Sequence, residues 1–112
     1  MTVLTIRAHK RYAVRQAVRL GKPGERPLDG LMIELSSEGI RISNLGRPSF
    51  DIGEPVTVQI DELKFRGRIR WSHDGIAGVR FDTALFPNQL GELIARGRGE
   101  TAVAPEAALK VA

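Results

Sequence analysis

The stretch Leu63-Lys-Phe-Arg-Gly-Arg-Ile-Arg-Trp-Ser-His-Asp-Gly-Ile-Ala-Gly-Val-Arg-Phe81 decides the fold. Lys64, Arg66, Arg68 and Arg70 alternate one for one with Phe65, Gly67, Ile69 and Trp71. A period of two marks a strand with one face in a core and the other in water. Asp74-Gly75 suits a tight two-residue hairpin turn. Val79 and Phe81 then resume the apolar side on the returning strand, and Trp71 and Phe81 are expected in the core.

The same pattern extends upstream. Six strands are predicted at about 13–20, 29–36, 39–44, 55–60, 63–72 and 76–82. Gly21-Lys-Pro-Gly24, Leu45-Gly-Arg-Pro48 and Ile52-Gly-Glu-Pro55 supply the intervening turns. Alternation puts Leu31, Ile33 and Leu35 on one side of the second strand, with Met32, Glu34 and Ser36 on the other. Ile40 and Ile42, then Val56, Val58 and Ile60, continue the inward set. After Phe81 the period lengthens: Phe86, Leu90, Leu93 and Ile94 recur at helical spacing, Pro87 suits a first turn, and the helix is expected to end near Gly97. Many short strands with Gly and Pro punctuation read as a β-sandwich or β-barrel.

With 112 residues, one domain with one core is expected. Cysteine is absent and the two histidines, His9 and His73, lie far apart, so neither a disulfide nor a metal site is expected. No apolar run reaches signal-peptide length or the ~20 residues of a membrane span, and a cytoplasmic protein without membrane insertion is the expectation. The net charge of +4 is uneven: residues 1–26 carry seven Lys or Arg against the single acid Glu25. Such a segment suits an anionic partner, whether phosphate, nucleic acid or lipid headgroup. Residues 1–12 are read as a flexible basic arm, 13–97 as the barrel with its helix, and 98–112 as a mobile tail.

Two short motifs carry the functional reading. Arg11-Tyr-Ala-Val-Arg15 sets two arginines four residues apart before the first strand, and Glu34-Leu-Ser-Ser-Glu-Gly39 ends the second strand in a turn. In this order, with Gly67-Arg-Ile-Arg-Trp71, Gly78-Val-Arg-Phe81 and a helix behind them, the chain resembles a PilZ domain over roughly residues 7 to 97. That family's patterns are R-x-x-x-R and [DN]-x-S-x-x-G. The resemblance implies a mainly β fold, a six-stranded antiparallel barrel with a C-terminal helix. It also implies a receptor for cyclic di-GMP that relays the signal to an effector protein. The ligand residues it implies are Arg11, Arg15, Glu34, Ser36 and Gly39.

The chemistry agrees with that implication. Cyclic di-GMP presents two phosphodiester charges and two guanines. A guanidinium can fork onto phosphate oxygens or guanine O6 and N7, and can stack on a base. Tyr12, between the arginines, offers a further stacking surface. Glu34 and Ser36 share one outward face, where a carboxylate and a hydroxyl can hydrogen-bond a ligand. Glu34 departs from the family's Asp or Asn: one extra methylene moves its carboxylate by about 1.5 Å. The alternative is therefore a degenerate PilZ-like adaptor that binds protein but not the nucleotide.

Plainer readings exist for each feature. Arg7, Arg11, Arg15 and Arg19 also fit a solvated helix face, and Ser36 to Gly39 also fit a simple hairpin turn. Lys64, Arg66, Arg68 and Arg70 read first as a solubilising barrel surface. With few aromatics, 5% of residues, single-stranded nucleic acid is a less attractive partner. No nucleophile–base spacing, metal motif or dinucleotide motif is present, so no catalytic residue is assigned and no enzyme is expected.

Overall fold

In a computed structural model, which describes residues 10–46 and 50–99, six antiparallel strands close into one barrel. They are β1 (Tyr12–Gly21), β2 (Leu28–Leu35), β3 (Gly39–Ser43), β4 (Pro55–Ile60), β5 (Leu63–His73) and β6 (Ile76–Phe81). Their order around the barrel is β1-β2-β3-β6-β5-β4, and β1 pairs with β4 through Arg19↔Gln59, Leu20↔Val58 and Gly21↔Thr57 to complete the ring. Closure gives every strand a neighbour on both sides, although β1 meets β4 only over Arg19–Gly21. Helix α1 (Pro87–Gly97) follows. The mainly β architecture with one C-terminal helix is the one expected. Most of the expected arm and tail, with Arg7 and His9, lie outside the described residues.

Local chemistry accounts for the turns. Asp74 and Gly75 take φ of 51° and 79° between the paired residues His73 and Ile76, the two-residue hairpin anticipated from Asp-Gly. At the start of α1, Pro87 needs no N–H partner, and the Phe86 N–H is satisfied by Gln89 Oε1 at 2.8 Å. Phe86 itself is 66% exposed, outside the apolar stripe it was expected to join. Leu93 is buried and Gly97 packs against Val14, where a Cβ would meet Val14 Cβ at 2.7 Å. The helix end therefore sits hard against β1.

The core is the inner face of the barrel: Val18, Leu20, Leu35, Ile40, Ile42, Val56, Val58, Ile60, Ile69, Val79 and Phe81 are all buried. Two expectations about facing are corrected. Met32 is fully buried while Leu31 and Ile33 are only half-buried. The pairing shifts between Met32↔Ile42 and Glu34↔Arg41, so Ile33 is an extra residue and both Met32 and Leu35 face inward. Trp71 is also not in the core: it is 37% exposed. A second shift, between Ile69↔Val79 and Trp71↔Gly78, inserts Arg70 and turns the indole to the outside.

Arg96 fastens the helix to the barrel. Its guanidinium meets Asp61 at 2.9 Å and Glu62 at 3.0 Å in the β4–β5 turn, and Glu92 one helical turn back at 2.7 Å. The Arg96 hydrogen bond holds the Glu62 carboxyl below its ordinary range, and the carboxylates raise Arg96. Glu54 is likewise lowered, first by the Asp51 backbone N–H and then by Lys22. Among the described residues no helix is long and apolar enough to cross a membrane.

Candidate ligand-binding groove

The outward turn of Trp71 shapes one wall of a groove on the barrel's outer surface. Gly78 lies directly beneath the indole, where a Cβ would come within 2.5 Å of the ring. The Arg41 guanidinium covers the ring at 5.4 Å from its centroid, a cation–π arrangement. Arg11, Glu34, Ser36 and Gly39 line the groove together with Arg41, Arg70, Trp71 and Arg80. Its volume of about 380 Å³ lies within the roughly 300–1,000 Å³ of small-molecule sites.

Four guanidinium groups in this groove face two carboxylates, Glu34 and Glu38. Glu34 Oε1 stands 3.9 Å from Arg11 and 3.8 Å from Arg41, and Glu38 is 3.8 Å from Arg80. These are ion-pair distances too long for hydrogen bonds. Arg41 Nε is shielded from water and makes no hydrogen bond among the described residues. Leaving such a donor unsatisfied costs about 1–3 kcal/mol. The groove thus holds an excess of positive charge with its arginines only loosely engaged.

Ser36 and Gly39 have structural duties here. Ser36 Oγ accepts the backbone N–H groups of Glu38 and Gly39, both at 3.2 Å, and its own N–H donates to Gly39 O at 2.9 Å. The hydroxyl shapes the β2–β3 turn. At Gly39 a Cβ would lie 2.2 Å from Val79 O, so only glycine lets β3 approach β6 this closely. The backbone of this turn is also tied to the end of β6, through Phe81 N to Glu38 O at 2.8 Å and Leu85 N to Ser37 O at 2.8 Å. The close approach that glycine provides is thus to a neighbouring strand.

Arg15 is not brought into the groove. It lies on β1's exposed face, four residues from Arg11, and borders a separate depression with Ala13, Val14 and Gly97–Gly99. Tyr12 is engaged by Arg98, 5.9 Å from its ring centroid, while Arg98 Nε donates to Ala13 O at 3.1 Å. Sequence reasoning passed over Arg41 and Arg80, read Arg70 only as part of the solvated β5 row, and placed Trp71 in the core. The signal for Arg41 and Arg80 was present, since each alternates with buried neighbours, Ile40 and Ile42 or Val79 and Phe81. Trp71 carried no such signal, because its orientation depends on the Arg70 insertion.

A family model of the PilZ domain matches residues 5–96, nearly the whole of the described barrel and helix. The chain belongs to the PilZ domain family. The match spans Arg11, Arg15, Glu34 and the Ser36–Gly39 turn. No curated protein matches the chain closely enough to refine this further. PilZ domains are cyclic di-GMP-binding or adaptor modules rather than enzymes, and this chain has the architecture of one.

Proposed function

We propose that this PilZ domain is a cyclic di-GMP receptor that relays ligand occupancy to an effector protein, with a cytoplasmic location as part of the reading. The observation that carries it is the convergence of Arg11, Arg41, Arg70 and Arg80 around an exposed indole, beside the Ser36–Gly39 turn. Guanidinium groups can fork onto the two phosphodiesters and onto guanine edges. Trp71 offers an aromatic face for a purine once Arg41 turns from the indole toward the ligand. In making that turn, Arg41 would bring its Nε, now shielded and unpartnered, to a ligand phosphate. Arg15 joins this site by swinging its long, exposed side chain from the neighbouring depression.

A second reading rests on Glu34. Its carboxylate already engages Arg11 and Arg41, so it stands where an anionic ligand would compete for them. An adaptor that binds protein but no nucleotide would keep those pairs. Isothermal titration calorimetry with cyclic di-GMP distinguishes the two. The receptor gives saturable binding, weakened about 10- to 100-fold by Arg11→Ala and by Arg15→Ala, as expected for charge-assisted hydrogen bonds. Absence of heat up to millimolar ligand favours the adaptor. Binding unchanged in both variants refutes the arginine assignment.

A further inference from the structure

The strand that decided the fold carries a feature the groove does not use. Lys64, Arg66 and Arg68 stand exposed at two-residue intervals along the outer face of β5, and Arg70 continues the row into the groove. On one side their partners in β4 are Gln59, Thr57 and Pro55, none of them acidic. On the other side Arg68 lies directly opposite Arg80. Like charges facing each other across a sheet are destabilising. Lys64, Arg66 and Arg70 make no ion pair among the described residues, and the Arg68 guanidinium donates only to Gly53 O at 3.0 Å.

Several surface cations elsewhere are paired, Arg19 with Asp29, Lys22 with Glu54 and Arg96 with three carboxylates, while Arg15 and Arg26 make no ion pair among the described residues. We propose that the unpaired row on β5 is a docking surface for an extended, acidic segment of a partner protein. The geometry suits that partner. Cations at every second residue of a strand repeat at about 6.6–6.8 Å, the same repeat as acidic residues at alternate positions of an extended peptide. Because the barrel is closed, a partner cannot add a strand through backbone bonds. Recognition must run through side chains, and arginine forks bind carboxylates in a fixed geometry.

Two further observations favour protein over nucleic acid. Phe65 and Gly67, which alternate with Lys64, Arg66 and Arg68, face the core, so the row carries no aromatic side chain of its own for bases to stack on. Arg68 holds the Gly53 carbonyl, and the adjoining Ile52 is 80% exposed. An apolar side chain beside an arginine row has the composition of a protein interface.

The test is fluorescence anisotropy with a labelled peptide carrying glutamate at alternate positions with threonine between. The comparison is a peptide of the same composition with its glutamates in one block. The full chain is expected to bind the alternating peptide saturably and about tenfold more tightly than the block peptide. Combined Lys64→Ser, Arg66→Ser and Arg68→Ser, with an unchanged melting curve, should weaken the alternating peptide about tenfold. Arg11→Ala should leave it unchanged. Equal affinity for the two peptides overturns the proposal, and this arm needs only the unaltered protein. Unchanged binding in the triple variant, or tighter binding to phosphatidylserine vesicles or oligodeoxythymidine than to the alternating peptide, also overturns it.

Discussion

Replacing Glu34 by asparagine puts the sign of its contribution to the test. Its carboxylate lies 3.9 Å from Arg11 and 3.8 Å from Arg41. Bare unit charges at that separation attract by about 1 kcal/mol in water. With side chains partly exposed to solvent, screening and lost rotamer freedom leave about 0.2–1 kcal/mol for each pair. Together the pairs hold the two guanidiniums by about 1 kcal/mol, which an anionic ligand must overcome. The carboxylate also repels the ligand: a phosphate roughly 7 Å away feels about 0.6 kcal/mol in water. Glu34→Asn removes both effects, so affinity for cyclic di-GMP should rise about tenfold.

The same change should lower stability slightly, because the two ion pairs are lost from the unliganded protein. A loss of about 1 kcal/mol corresponds to a melting temperature lower by roughly 4 °C for a chain of this size. Calorimetric titration and thermal melting followed by circular dichroism should therefore move in opposite senses. A fall in affinity with the fold intact would refute the reasoning. It would mean that Glu34 accepts guanine N–H donors and that its length is matched to the ligand.

Other changes separate the site from the scaffold. Trp71→Ala should lower nucleotide affinity by about 1–3 kcal/mol, the worth of one stacked base, with little change in melting. Phe81→Ala should instead cost about 3–5 kcal/mol of stability, and a similar stability loss for both would return Trp71 to the core. Gly39→Ala forces a Cβ against Val79 O and should destabilise by at least about 2 kcal/mol, read as a melting temperature lower by roughly 8 °C or more. The lowered Glu62 adds stability that is complete above its ordinary titration range and disappears as pH falls through its depressed pKa. Acid titration of helix content should show this loss below about pH 4, and Arg96→Met should remove the largest part of it, leaving the part that comes from the backbone hydrogen bond.

Much of the candidate site was legible in the sequence because its motif residues sit on local structure. Glu34 faces outward two residues before Ser36, and Ser36 and Gly39 build a turn of four residues in which the Ser36 hydroxyl bonds are internal. The outward facing of Arg41 and Arg80 was legible from alternation, but their meeting with Trp71 in one wall was not. Arg41, Arg80 and Trp71 come from three strands that only the barrel brings beside Glu34. Arg15 illustrates the reverse: a motif neighbour of Arg11 in sequence borders a different depression once the end of α1 packs on β1. Spacing along a chain does not specify which neighbouring element a side chain meets.

The sequence by itself determined the strands, their turns and the helix, because each depends on interactions within a few residues. Alternation places apolar groups, Asp74-Gly75 adopts positive φ at little cost, and Pro87 is pre-shaped for a first turn. Only the tertiary structure decided which residues of β2 and β5 face out. Inserting Ile33 or Arg70 puts the residues before and after it out of phase, and that insertion is defined by the partner strand's hydrogen bonds. One such shift buries Met32 and another turns Trp71 out onto the groove, because inside and outside are properties of a closed barrel and not of any single strand.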